Sequence, residues 1–176
     1  MNRALFLDRD GVVNVYRPYV YRIEDFEFRP GILPLCRAAR DRGFKLVIIT
    51  NQAGIARGLY GEEDFQVLMD WVRAQLRAEG IILDGIYHCP HHPDFSGPCD
   101  CRKPAPGMLL RAQRELDLDL SRSVLIGDRI PDMEAGCAAG VGRRLLVDTT
   151  QSVIRTDCSY TPVPCRDLAE LIPYLE

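Results

Sequence analysis

Short apolar runs recur along the chain, and each is followed by polar residues or by glycine. Runs of this length between turn residues are typical of strands that are buried on both faces. The pattern therefore predicts five strands, at residues 4–7, 45–49, 85–88, 124–126 and 145–147.

Between these runs, apolar residues recur at spacings of three and four, which is the period of an amphipathic helix. Helices are predicted at residues 32–42, 62–79, 107–116, 131–139 and 167–172, with an irregular stretch at 149–164. Strands that alternate with helices predict an α/β fold, a Rossmann-like three-layer sandwich with a mainly parallel sheet. Such sheets bind ligands beyond the carboxyl ends of their strands.

The composition is typical of one globular domain spanning residues 1–176, with 47% hydrophobic and 27% charged residues. No stretch approaches the roughly 18 apolar residues of a membrane helix, and no secretion signal is evident, so a cytoplasmic protein without a membrane partner is expected. A net charge of −3 argues against a nucleic-acid partner. Since no feature requires an oligomer, we expect a monomer.

Acidic residues follow the first and fourth predicted strands. Asp8 and Asp10 come directly after the first, and Asp128 and Asp132 come after the fourth. Converging carboxylates repel each other unless a hard cation such as Mg²⁺ offsets the repulsion. A solvated turn before Gly11 is the alternative interpretation of the first pair.

Polar and basic side chains are predicted at the same edge. Thr50, Asn51 and Gln52 follow the second strand with hydroxyl and amide donors suited to an oxyanion, although a turn or helix cap is the alternative. Arg102 and Lys103 suit phosphate binding, with a solvated basic pair as the alternative. Together these groups indicate phosphoryl transfer, which depends on positioning and charge neutralisation.

Four motifs of this sequence, spanning residues 4–140, resemble those of the haloacid dehalogenase superfamily phosphatases. They are Asp8-x-Asp10-Gly11-Val12-Val13-Asn14, Thr50-Asn51-Gln52, Lys103-Pro104 and Gly127-Asp128-x-x-x-Asp132. The segments 50–58 and 89–104 further resemble the branch that contains heptose bisphosphate and histidinol phosphate phosphatases. The resemblance implies a fold of the haloacid dehalogenase type.

The resemblance implies that Asp8 is a nucleophile that forms an aspartyl-phosphate, while Asp10 protonates the leaving oxygen and then activates water. It also implies that Mg²⁺ is held by Asp8, the backbone carbonyl of Asp10, and Asp128. The implied ligands of the phosphoryl group and substrate are Thr50, Asn51, Gln52, Arg102, Lys103 and, where the family often has lysine, Arg129.

The implied substrate is a small phosphorylated sugar, a heptose bisphosphate that loses its 7-phosphate on the route to nucleotide-activated heptose for surface lipopolysaccharide. Histidinol phosphate and a DNA 3′-phosphate are alternatives, and a non-catalytic zinc-stabilised binding domain is an alternative of another class. Pro18 stands where the heptose enzymes commonly have glycine, which leaves the exact sugar open. Only about 50 residues separate Thr50 from Lys103, so no large cap domain is expected.

A second metal site is predicted in a loop at residues 89–101. Its three thiols and one imidazole are the ligand set of a closed tetrahedral Zn²⁺ site, which leaves no position for water and makes the zinc structural. Reduced cysteines in a loop are the alternative, and His88 and His92 are lesser ligand candidates. The four predicted ligands are Cys89, His91, Cys99 and Cys101.

The remaining cysteines do not indicate a disulfide framework, because an odd total of seven without an export signal points to free thiols or metal. We interpret Cys36 and Cys137 as small buried apolar residues of helices. We assign no role to Cys158 or Cys165.

Overall fold

The strands form one parallel sheet in a computed structural model that describes residues 1–148 and 157–176. Their order across the sheet is β3-β2-β1-β4-β5-β6, which places the first strand of the chain near the centre. The strands are β1 (Arg3–Leu7), β2 (Phe44–Asn51), β3 (Gly85–Cys89), β4 (Val124–Gly127), β5 (Arg143–Leu146) and β6 (Thr161–Pro162).

Helices connect the strands from β1 to β5 and cover both faces of the sheet. The α-helices are α1 (Ile32–Asp41), α2 (Ala53–Ala56), α3 (Glu62–Ala78), α4 (Pro93–Ser96), α5 (Gly107–Leu116) and α6 (Ile130–Ala139). The described part of the chain also contains short 3₁₀ helices at Ile23–Asp25, Leu120–Arg122 and Leu168–Tyr174. Within the described ranges, no helix has the length and apolar content needed to cross a membrane.

Two separate apolar cores lie on the two faces of the sheet. Along β1, Leu5 and Leu7 contribute to one core while Ala4 and Phe6 contribute to the other, because successive side chains of a strand point to opposite faces. The first core contains residues of α1 and α3, and the second contains residues of α5 and α6. This arrangement confirms the predicted three-layer sandwich.

The longest helix, α3, follows the predicted apolar spacing. Its buried residues are Phe65, Leu68, Met69, Val72 and Leu76. The helix begins where the backbone N–H of Gly61 donates to the carboxylate of Asp64 at 2.8 Å, which caps its first turn. Gly80 follows its end with a φ of 73°, a conformation that glycine adopts without strain.

The structure differs from the prediction in its short elements. Strand β6 and the four-residue helices α2 and α4 were not predicted, because two to four residues are too few to show a period. Strand β6 lies in the stretch predicted to be irregular, and residues 149–156 of that stretch lie outside the described residues. Residues 1–148 and 157–176 contain one sheet and show no added cap domain over its edge.

The interpretation of Cys137 as a buried apolar residue is wrong, whereas that of Cys36 is confirmed by its 2% exposure. Cys137 is only partly buried and forms a disulfide with Cys158, to which no role was assigned. The two Cα atoms are 5.7 Å apart although 21 positions separate them in the sequence. Pairing of this kind depends on the tertiary structure, so cysteine counting did not reveal it.

Candidate active site

The carboxyl ends of three adjacent strands bring the predicted motifs together. Strand β1 pairs with β2 on one side and with β4 on the other, in parallel register. Leu7, the last residue of β1, lies opposite Ile48 and Ile126. The loops that follow these strands therefore start at the same edge of the sheet, as is usual for ligand sites of parallel sheets.

A buried lysine lies between two carboxylates at the centre of this edge. The ammonium of Lys103 is 2.9 Å from Asp8 Oδ1 and 2.6 Å from Asp132 Oδ1. Burial by itself would lower the pKa of Lys103, but the carboxylates of Asp132 and Asp8 outweigh burial and raise that pKa. The ammonium therefore stays charged at neutral pH.

Carboxylate oxygens of Asp8, Asp128 and Asp132 lie within 4.8 Å of one another, and all three residues are buried. Burial raises the pKa of Asp128 to about 6 and that of Asp8 well above its usual range. Asp128 Oδ1 is also buried without a hydrogen-bond partner among the described residues. Three carboxylates lie close to a single ammonium, so negative charge is in excess at this position. Their oxygen atoms are the ligands that a divalent cation such as Mg²⁺ prefers.

Asp10 lies beside this cluster and is fixed by three donors. Asp10 Oδ1 accepts hydrogen bonds from Arg9 at 2.9 Å and from Asn14 at 3.1 Å. Asp10 Oδ2 accepts one from Gln52 Nε2 at 3.1 Å. The side-chain amide of Gln52 is itself oriented, because its oxygen accepts from the hydroxyl of Tyr60 at 2.5 Å.

The three polar residues after β2 have different surroundings. Thr50 is 1% exposed, and its hydroxyl accepts a hydrogen bond from Gln52 at 2.8 Å. The amide of Asn51 donates to the carbonyl of Lys103 at 3.1 Å and accepts from its N–H at 3.0 Å. Asn51 thus fixes the backbone that carries the buried lysine.

A cavity of about 320 Å³ opens above Asp8 and Asp10. Five residues predicted to contact substrate line this cavity: Asn51, Gln52, Arg102, Lys103 and Arg129. Tyr16 and Tyr19 form part of its mouth, and the guanidinium of Arg129 lies 5.1 Å from the ring centre of Tyr16. Thr50 is not a lining residue of this cavity. The cavity combines basic and aromatic surfaces, which suit an anionic, hydroxyl-rich ligand.

The loop at residues 89–101 gathers three of its four predicted zinc ligands. The sulfur of Cys89 is 2.7 Å from that of Cys101 and 3.6 Å from that of Cys99. Three converging sulfurs fit a thiolate-binding ion such as Zn²⁺. In the described part of the chain, however, His91 is not a member of this cluster. Its backbone carbonyl instead accepts a hydrogen bond from Arg102 at 3.2 Å, which links the loop to the cavity.

Sequence reasoning did not assign a role to three residues of this site. Asp132 is part of a quoted motif and lies in the first turn of α6, whereas Asp128 lies in the loop just before that helix. Arg9 and Tyr60 carry no comparable signal. An arginine between two aspartates has the composition of an exposed turn, yet Arg9 is 1% exposed.

Comparisons with known proteins agree with this geometry. The family model of haloacid dehalogenase-like hydrolases matches residues 2–140. The chain is 51% identical over 155 residues to the D-glycero-beta-D-manno-heptose-1,7-bisphosphate 7-phosphatase of Yersinia pestis, covering 85% of this chain and 82% of that protein. It is 52% identical over 146 residues to the D-glycero-alpha-D-manno-heptose-1,7-bisphosphate 7-phosphatase of Campylobacter jejuni, and the match covers 83% of each chain.

A solved structure of a related enzyme has the same fold. The D,D-heptose 1,7-bisphosphate phosphatase from B. bronchiseptica, complexed with magnesium and phosphate, superposes with a TM-score of 0.83. The two chains are 30% identical, and the match covers 98% of this chain and 97% of the other.

A parallel sheet whose central strands end in clustered carboxylates and a buried lysine defines a hydrolase of the phosphoryl-transfer class. More narrowly, this chain belongs to the haloacid dehalogenase-like hydrolases and is a phosphatase of that family.

Proposed function

We propose that this phosphatase is Mg²⁺-dependent and removes the 7-phosphate of D-glycero-D-manno-heptose 1,7-bisphosphate. One observation carries the proposal. The buried contact of Lys103 with Asp8 and Asp132 lies at the base of a basic cavity, in a chain about half identical to enzymes named for this substrate. The cavity has the polar lining that a phosphorylated sugar requires.

Asp8 is the proposed nucleophile, and Asp10 is the proposed acid and base. Attack of an Asp8 oxygen on phosphorus breaks the bond to the sugar oxygen and forms an aspartyl-phosphate, while Asp10 gives a proton to the leaving sugar. Asp10 then takes a proton from water, which attacks the aspartyl-phosphate and releases inorganic phosphate. Lys103 keeps Asp8 in place and neutralises charge on the phosphoryl oxygens.

Asp8, Asp128 and the backbone carbonyl of Asp10 are the proposed Mg²⁺ ligands, with Asp132 supporting them from α6. The crowded carboxylates and the unpaired oxygen of Asp128 support this assignment. Bound at this position, Mg²⁺ would neutralise the negative charge of the carboxylates and of the phosphoryl group.

The remaining cavity residues are proposed to bind substrate. The hydroxyl of Thr50 and the ammonium of Lys103 would contact phosphoryl oxygens. The sugar and its second phosphate would contact Asn51, Gln52, Arg102 and Arg129.

The cysteine cluster is proposed to hold a structural Zn²⁺. Cys89, Cys99 and Cys101 supply three thiolates, and His91 would need to turn its ring toward them to supply the fourth ligand. Because Cys101 directly precedes Arg102, an ordered loop would fix that guanidinium at the cavity.

The test is Mg²⁺-dependent phosphate release from both anomers of heptose 1,7-bisphosphate and from histidinol phosphate. Asp8→Asn, which removes the nucleophile while retaining shape, is the control for the proposed mechanism. We expect a heptose bisphosphate to be preferred, and the variant to lose activity. Preference for histidinol phosphate would refute the proposed substrate, and an active Asp8→Asn variant would refute the proposed nucleophile.

A further inference from the structure

Arg9 is a buried arginine with an unusual set of partners. Only 1% of its surface is exposed, and its guanidinium lies 5.9 Å from the ring centre of Phe65. One nitrogen, Nη2, donates both to Asp10 Oδ1 at 2.9 Å and to the carbonyl of Val20 at 2.5 Å. Nε and Nη1 have no hydrogen-bond partner among the described residues.

The stability of the fold does not by itself explain why an arginine is buried at position 9. Removing a charged guanidinium from water is costly, and an apolar side chain of similar volume often serves a buried position equally well. The contacts of Arg9 instead connect two functional parts. Asp10 lies in the reaction centre, whereas Val20 belongs to the segment that carries Tyr16 and Tyr19 at the cavity mouth.

The contacts also distinguish the two oxygens of the Asp10 carboxylate. Oδ1 accepts from Arg9 and Asn14, so its lone pairs are directed into the protein. Among the described residues, Oδ2 accepts only from Gln52, and Asp10 lines the cavity. Oδ2 is therefore the oxygen left to exchange a proton with a substrate oxygen.

We propose that Arg9 is a positioning residue that holds Oδ1 of Asp10 against the Val20 segment and thereby aims Oδ2 at the leaving oxygen of the substrate. This inference rests on the proposed acid role of Asp10. Asn14 and Gln52 also orient the carboxylate, and Asn14 donates to the carbonyl of Val15, whereas Arg9 is bonded to Val20, the residue next to Tyr19. Arg9 thus couples the position of the acid to the wall that faces the sugar.

The test compares heptose 1,7-bisphosphate with p-nitrophenyl phosphate, because their leaving groups differ in the need for a catalytic acid. A sugar alkoxide leaves poorly without a proton, whereas p-nitrophenolate leaves without one. Leaving-group release in a single turnover, with enzyme in excess, reports only the first step for both substrates. Arg9→Met retains an apolar side chain of similar length, and Arg9→Lys retains the positive charge but lacks the planar guanidinium group. Arg37→Met is the matched control, because Arg37 is exposed and pairs with Glu79 away from the cavity.

For Arg9→Met, release of the sugar in the first turnover is expected to fall about 10²-fold, as for a misplaced catalytic acid. Release of p-nitrophenolate should change less than about threefold, because that step needs no acid. Arg9→Lys should show the same selective loss to a smaller extent, and it carries the test if Arg9→Met does not fold. Equal losses for the two substrates, or no loss in a folded variant, would overturn the proposal.

Asp10→Asn separates this inference from the proposed function. If Asp10→Asn also loses sugar release selectively, the acid role of Asp10 holds and the Arg9 variants decide the inference alone. If Asp10→Asn slows both substrates equally, the acid role fails and the inference fails with it. Arg37→Met should retain the release rates of the unmodified protein with both substrates.

Discussion

Replacing Lys103 with methionine tests the electrostatics of the carboxylate cluster. The variant retains most of the side-chain volume but removes the ammonium that contacts Asp8 and Asp132. At the observed distances, with an effective dielectric constant of about 20, each contact contributes about 6 kcal/mol of Coulomb energy before desolvation. Since desolvation offsets most of this energy, removing one partner of such a pair costs about 3–5 kcal/mol of unfolding free energy.

This cost is expected to depend on pH. The carboxylates raise the pKa of Lys103, so its ammonium is charged at both pH 5 and pH 8, and any pH dependence of the cost must come from the neighbouring carboxylates. The pKa of Asp128, in contrast, is raised to about 6 in the folded state. At pH 5, below this value, Asp128 is largely protonated and the cluster carries less negative charge, so the variant loses less stability than at pH 8, where Asp128 is charged.

Urea unfolding at both pH values measures the difference, in magnesium-free buffer without chelator so that the cysteine loop is not disturbed. Lys45→Met is the matched control, because Lys45 is the other lysine of the chain. It is about a third exposed and lies 3.5 Å from Asp84. Lys45→Met should lower the unfolding free energy by less than about 1 kcal/mol at either pH. A pH-independent cost for Lys103→Met, or one as small as that of Lys45→Met, would refute the reasoning.

Three further predictions concern the metals and the loop after β1. Mg²⁺ at about 100 times its Kd should raise the unfolding free energy by about 2.7 kcal/mol at pH 7.5. Mg²⁺ should raise the unfolding free energy less at pH 5, where Asp128, with a pKa of about 6, is protonated. Equal thermal shifts on adding Mg²⁺ at both pH values would contradict this prediction. Cys99→Ser should lower both zinc content and activity through disorder of the loop, and full activity without zinc would exclude that role. Gly11→Ala should reduce activity at least about 10²-fold, because φ is 89° and the new Cβ would lie 2.2 Å from Asp128 Oδ2. Gly43→Ala, with φ of 79° and no atom within 4 Å of its Cβ, should cost only about 1–2 kcal/mol of stability and retain activity.

The centre of the sheet was predictable because strands such as β1 and β4 are buried on both faces. Runs such as 4–7 and 124–126 are continuously apolar, and this pattern depends little on the rest of the fold. The position of the site followed from the topology, since parallel strands joined by helices share one carboxyl edge. The residues after those strands were therefore predicted together, although their catalytic roles remain proposals.

Features that depend on distant packing were not predictable. The disulfide between Cys137 and Cys158 requires a helix and a later segment to meet, and no spacing rule indicates that they do. His91 has ligand spacing, but among the described residues it is not a member of the cluster that the three sulfurs form. Arg9 is buried beside Val20 and Phe65, which are 11 and 56 positions away from it in the sequence.

The parallel pairing of β1 with β4 has a consequence for folding. Leu5 of β1 lies opposite Val124 of β4. The backbone N–H of Ala4 donates to the hydroxyl of Ser123, 119 positions away in the chain, and Lys103 is 95 positions from Asp8. Such distant pairings close large loops and form late, because the loop entropy must be lost before any contact compensates for it. A nascent or partly refolded chain that has formed only β1, β2 and β3 already carries Asp8 but lacks its lysine and its second pair of carboxylates. Recovery of phosphate release during refolding should therefore report completion of the sheet rather than its nucleation.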